Sequence, residues 1–153
     1  MSFDARLAEL HLELPPAPKP MGTYRPVVVA GSTAYVSGHG PLRPDGTLVL
    51  GRLGRDLDLE AGYAAARVTG LAVLASLKAE LGSLDRVVRL VKTLGLVNSA
   101  PDFFDHPKVV NGFSDLMVEV FGEAGRGARS AFGTVALPGD IAVEVEAVFE
   151  VRP

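Results

Sequence analysis

The stretch RSAFGTVALPGDIAVEVEAVFEV, residues 129–151, decides how the rest of the chain is read. Small and apolar residues flank Leu137-Pro138-Gly139-Asp140, a pattern that predicts two β-strands joined by a tight turn. Arg129, Glu144 and Glu146 are out of place among its Val, Ala, Gly and Phe. If the strands meet at that turn, Ala131 faces Glu146 and Gly133 faces Glu144. Opposed residues share a face. Phe132, Thr134, Ala136, Ile141, Val143, Val145, Ala147 and Phe149 then form the core face. Arg129, Ala131, Gly133, Val135, Glu144, Glu146 and Val148 form the other. On that face Arg129 and Glu144 stand about 13 Å apart, four residues of strand rise, so a small molecule fits between them. Glu146 lies on the diagonal and is able to pair with Arg129, an exposed contact worth about 0–1 kcal/mol.

Working outward, Asp105 is placed to cap a helix running to Phe121 and ending at Gly122, with Pro107 in its first turn. RVVRLVKTLGLV, 86–97, is rich in β-branched residues and predicts a strand. Between Leu59 and Leu81, apolar residues recur in steps of three and four, which predicts a long helix capped by Asp58 and stopped by Gly82. YRPVVVAG and TAYVSG predict a hairpin, and PDGTLVLG a short third strand. FDARLAELHLE, 3–13, has helical spacing, and the PPAPKP segment stops it as a stiff connector. The expected order is β-β-β-α-β-α-β-β, an α+β fold of one sheet with two helices on one face. Residues 1–19 read as an N-terminal helix and Pro-rich connector, and 20–153 as a single domain.

Composition narrows the function. With 153 residues, 48% hydrophobic and 22% charged, the chain is long enough for one buried core. A net charge of −3 offers no general attraction to nucleic acid or anionic membrane. No cysteine is present, which removes disulfides, thiolate metal sites and cysteine nucleophiles. MSFDARLAEL is broken by charge and does not read as a signal peptide. The expectation is a soluble, cytoplasmic protein.

Arg129-Ser-Ala-x5-Leu137-Pro138-x5-Glu144-x-Glu146-Ala147 resembles the closing motif of the Rid family, the reactive intermediate deaminases also called YjgF-like. Gly22-Thr23-Tyr24, Tyr35-Val36-Ser37-Gly38 and Asn111 match in order and spacing, so the resemblance spans about residues 20–151. GRLGRDLDLE and DHPKVVNGFSDLMVEVFG are similar to a branch with an added N-terminal segment. The resemblance implies a chorismate-mutase-like fold assembled as a homotrimer, with sites in clefts between subunits. It implies hydrolysis of 2-imino acids and their enamine tautomers to 2-keto acids and ammonia, which limits damage by these reactive metabolites, with no metal or cofactor. By the same resemblance Arg129 binds the substrate carboxylate and Glu144 handles water and proton. Backbone at Gly38 and Ala131 lines the site, Tyr24 and Ser37 wall it, and Asn111 comes from the neighbouring subunit. His39 stands where members usually have Gln and adds a titrating group near the site, while Ala131 replaces a frequent Cys. The implied partners are a small imino or keto acid and further copies of the chain, not nucleic acid or membrane.

Other readings of these residues are weaker. His11, His39 and His106 lack metal-ligand spacing. Ser99, Asp102 and His106 form a nominal triad, but their closeness in sequence fits a loop and helix cap better. Arg86, Arg89 and Lys92 make no single basic stripe on a strand and have no aromatic platform for RNA. The serious alternative is a non-catalytic small-carboxylate binder or regulatory protein using the same Arg129.

Overall fold

The structure is a computed structural model that describes residues 2–153. Three helices, α1 (Phe3–Glu9), α2 (Leu59–Leu81) and α3 (His106–Phe121), accompany five strands. The strands are β1 (Val27–Ala30), β2 (Thr33–His39), β3 (Val87–Asn98), β4 (Ala128–Thr134) and β5 (Val143–Val151). They form one mixed sheet in the order β1-β2-β5-β3-β4, antiparallel except for the parallel pair β3–β4. This is an α+β fold. Among the described residues no helix is long and apolar enough to cross a membrane.

Local chemistry explains the long elements. Asp58 accepts from the Ala61 amide at 2.8 Å and starts α2, while Gly82, at φ 82°, closes it with its amide on the Lys78 carbonyl. The alanines of α2 (Ala65, Ala66, Ala72, Ala75) are buried, because this helix is enclosed by the sheet on one side and α3 on the other. Phe113, Leu116, Met117, Phe149, Leu74 and Leu77 fill the space between these layers. α1 is shorter than the predicted 3–13: it ends at Glu9, and His11 takes a φ of 53°. Its start is fastened to the turn at 84–86, where Asp85 accepts from Ser2 Oγ and the Phe3 amide and Ser83 Oγ donates to Asp4.

Two expectations are corrected. PDGTLVLG forms no third strand; it makes only isolated bridges, Leu42 with Leu48 and Leu50 with Ile141. More consequentially, residues 129–151 are not a hairpin. The turn at Pro138–Asp140 exists, but its neighbours bond elsewhere: Ala142 N to Val49 O, Gly51 N to Asp140 O, and Asn98 Nδ2 to Asp140 Oδ1 at 3.0 Å. β3 lies between β4 and β5 and pairs with both.

That insertion resets the faces. Gly95 pairs with Ala131 on one side and Val145 on the other, and Thr93 pairs with Arg129 and with Ala147. Arg129, Ala131 and Gly133 therefore share the helix-covered face with Val143, Val145 and Ala147. Leu96 pairs with Phe132 and Glu144, and Leu94 pairs with Glu146, so those residues lie on the opposite, open face. The predicted inward residues of β5 are buried as expected. Those of β4 are inverted, and Phe132 is 49% exposed.

The α2–α3 contact depends on glycine at closest approach. A Cβ on Gly112 would run into the Tyr63 carbonyl, backbone against backbone, whereas one on Gly70 would meet the movable end of Leu116 at 2.7 Å. Gly112→Ala is expected to destabilise the fold by about 2–3 kcal/mol and Gly70→Ala by less. Urea midpoints at unchanged slope measure both; equal effects would contradict this account of the helix contact.

Candidate functional site

β4 carries Arg129 at the edge of the sheet, directly under α3. Its Nη1 donates to Asn111 Oδ1 at 2.7 Å and Ser114 Oγ at 3.2 Å, and Nη2 donates to the Pro107 carbonyl at 3.4 Å. All three acceptors are neutral and belong to α3. Among the described residues no carboxylate forms an ion pair with Arg129. The guanidinium is half-buried, held in one orientation, and its charge is uncompensated. A planar fork of donors so placed suits a carboxylate ligand.

Glu144 builds a second locus on the open face. A Cβ on Gly38 would lie 2.8 Å from Glu144 Oε2, so the carboxylate leans over a glycine that leaves it room. Gly38 falls where the β2–β5 register shifts between Val36 and His39. Ser37 Oγ donates to the Arg25 carbonyl at 2.6 Å and its amide to the Pro26 carbonyl, fixing this irregular strand end. Half-burial pushes the Glu144 carboxyl above its ordinary range, and the neighbouring Glu146 charge adds to the effect. Beside it a shallow depression of about 360 Å³ is lined by Val28, Tyr35, Ser37, Lys92, Glu146 and Val148. Tyr24 is 48% exposed, its hydroxyl accepting from the Met21 amide.

The structure thus brings Ser37, Gly38 and Glu144 together, and separately brings Arg129, Ala131 and Asn111 together, on opposite sides of one sheet. Arg129 and Glu144 do not flank a common space within one chain, and Glu146 does not approach Arg129, because β3 separates their strands. Asn111 meets Arg129 of its own chain. His39 is corrected more sharply. It is buried at 5% exposure beneath α2, with Nε2 2.7 Å from Ser76 Oγ and Nδ1 on the Ser37 carbonyl. The register shift after Val36 pairs it with Val145 and so turns it to the core side of β2, and burial lowers its pKa. Among the described residues no three acidic or histidine side chains gather as a metal site.

One contact lay only partly within reach of sequence reasoning. Ser99 Oγ is 3.1 Å from His106 Nε2, while Asp102 takes no part, so the nominal triad reduces to a pair. The pair rests on Gly133, where a Cβ would collide with both side chains.

The chain as a whole is similar to known proteins. The profile of a family described as "YjgF/chorismate mutase-like, putative endoribonuclease" matches residues 4–149. Protein TCP17 of Trypanosoma cruzi is 44% identical over 149 residues, covering 97% of this chain and 93% of that protein. A structure from Shewanella oneidensis, described as a "putative endoribonuclease", superposes with a TM-score of 0.94 at 34% identity, covering 99% and 100% of the two chains. RidA from the Antarctic bacterium Psychrobacter superposes less closely, with a TM-score of 0.62 at 26% identity over 88% of this chain and 94% of that one.

The Glu144 environment has a consequence for stability. A raised folded pKa means that the folded chain holds the proton more tightly than the unfolded chain. Glu144 therefore favours folding below the ordinary glutamate range, and that help is lost as pH rises through its folded pKa. The stability of Glu144→Gln relative to the parent is expected to be more favourable at pH 8 than at pH 4. Thermal unfolding at both values measures it, and a difference independent of pH would contradict the assignment.

Proposed function

The chain belongs to the YjgF/chorismate mutase-like family, and on that premise we propose that it hydrolyses small 2-imino acids, and their enamine tautomers, to 2-keto acids and ammonia. The observation that carries the reading is the Arg129 guanidinium, oriented by three neutral acceptors and, among the described residues, left without a counter-charge. A substrate carboxylate supplies that counter-charge and fixes the imine carbon in place.

Glu144 then serves the hydrolysis. Its carboxylate takes a proton from water as the oxygen adds to the C=N carbon, forming a carbinolamine. It returns that proton to the nitrogen, then carries the carbinolamine's hydroxyl proton to the nitrogen as well, and C–N cleavage releases ammonia and leaves the carbonyl. A carboxyl whose pKa is raised is suited to both halves of this exchange, because it lies closer to the pH of operation than an ordinary glutamate. Backbone groups at Gly38 and Ala131 border the reacting atoms.

Since Arg129 and Glu144 occupy opposite faces of one sheet, this chemistry needs two copies. Arg129 stands at the edge strand β4 of one subunit, and the Ser37–Gly38–Glu144 face belongs to the next, with Tyr24 as a wall. A homotrimer closes such clefts by rotation. The exposed apolar residues Val28, Tyr35 and Phe132 on the open face support a covered surface. The separation of the two groups also favours a second reading, a non-catalytic carboxylate binder, because the Arg129 locus is intact without Glu144.

The test generates 2-imino acids in situ with an amino-acid oxidase and traps them with semicarbazide. Added protein is expected to lower the trapped product, Arg129→Ala to abolish the effect along with small-carboxylate binding, and Glu144→Gln to reduce rate while affinity is kept. Carboxylate binding retained in Arg129→Ala would overturn the site. No turnover across an amino-acid panel, with carboxylates still bound, would favour the binder. Single-stranded RNA in parallel tests the endoribonuclease description of relatives.

A further inference from the structure

The guanidinium of Arg129 is only as well placed as the α3 residues that hold it. Two of its acceptors, the Pro107 carbonyl and Asn111, lie in the first two turns of α3. That start is weakly fastened by ordinary means. Asp105 occupies the N-cap position but makes no side-chain cap bond, and its carboxylate pairs instead with Lys108 at 3.4 Å. The buried Val109 and Val110 fix the depth of the helix against the sheet. Apolar contact of that kind is non-directional and leaves the preceding residues free to shift along the surface.

A directional contact exists one residue before Pro107. His106 Nε2 meets Ser99 Oγ at 3.1 Å, and Ser99 immediately follows the last residue of β3. The Phe103 ring packs edge-on to the imidazole, centroids 5.7 Å apart. Gly133 of β4 lies beneath, on the same face as Arg129, and accommodates both polar groups only because it has no Cβ. Ser99 is 9% exposed, so the bond is largely shielded from competing water. Asp102 does not reach the imidazole, and among the described residues His106 Nδ1 has no hydrogen-bond partner. The pair therefore lacks the orienting acid of a nucleophilic triad.

We infer that Ser99 and His106 are positioning residues for the Arg129 site: their hydrogen bond over Gly133 pins the start of α3, and through the Pro107 carbonyl and Asn111 sets the orientation of the guanidinium. The inference rests on the reading of Arg129 as a carboxylate holder. It adds two residues that touch no substrate yet control its affinity.

The experiment uses the full chain with pyruvate as the probe, its dissociation constant measured by calorimetry, and imine turnover measured in parallel. Ser99→Ala removes one oxygen and is the primary variant. His106→Ala removes the partner, and His106→Gln places a hydrogen-bonding atom near Nε2. Ser99→Ala and His106→Ala are expected to weaken pyruvate about tenfold and raise KM to match, with kcat within about twofold, a loss of about 1.4 kcal/mol in binding. His106→Gln is expected to recover most of the affinity, which a merely space-filling role for the ring would not produce. Parent-like affinity in Ser99→Ala overturns the inference, whatever the His106 variants do, and leaves the Arg129 reading standing. Parent-like affinity in Arg129→Ala would bring down the carboxylate site itself and is separately recognisable.

Discussion

The parallel pairing of β3 with β4 is the constraint on which the rest of the structure depends. Antiparallel neighbours are joined by a tight turn, but parallel ones need a connection that returns the chain over the sheet. Here α3 is that connection. It leaves the end of β3, crosses one face and delivers the chain to the start of β4, so the inner side of β4 lies under the helix that preceded it. Arg129 meets Asn111, Ser114 and the Pro107 carbonyl for this reason alone. With β4 on one flank of β3, the other flank is open to β5, and the two terminal strands never touch.

The sheet consequently acts as an insulator. A hairpin would have set a guanidinium and two carboxylates on one surface, where mutual pairing neutralises them. The actual topology puts an apolar layer between the cation under α3 and the anions on the open face. At the low effective dielectric of such a layer, charges on one side are poorly compensated by solvent and not at all by contact with the other. Glu144, half-buried and placed near Glu146, answers by holding its proton more firmly.

Much of this was legible in the sequence where information is local. α2 runs over the predicted Leu59–Leu81 with both expected caps, and α3 ends at Gly122 as read. β3 differs from its predicted span by one residue at each end. Period and cap chemistry are properties of neighbouring residues, so they survive any tertiary arrangement. The pairing of β4 and β5 is not local. Leu137-Pro138-Gly139-Asp140 does turn the chain, but a turn specifies a hairpin only if the strands after it have no better partner, and Leu94, Leu96 and Val97 of β3 are that partner. The parity of β5 came out right because Val143, Val145, Ala147 and Phe149 are apolar whichever strand they face. That of β4 failed because Ala131 and Gly133 are too small to declare a side. His39 was read only by resemblance, as a titrating group near the site; the irregularity at Gly38, which a run of residues cannot display, pairs it with Val145 and turns it to the core. Asn111 and Arg129 were legible as site candidates, though not as direct partners.

The central position of β5 also bears on how the chain comes to be folded. β5 follows every strand it joins, and it supplies the link between the β1–β2 hairpin and the β3–β4 pair. During synthesis, which proceeds at about 5–20 residues per second, those two apolar fragments emerge with nothing between them. Until residues 143–151 arrive, each presents an unpaired edge, and the closing step must thread a strand between two partially built ones rather than add it at a margin. Such non-local closure is slow. It makes the nascent chain dependent on whatever shields exposed edges, a burden absent once β5 is in place.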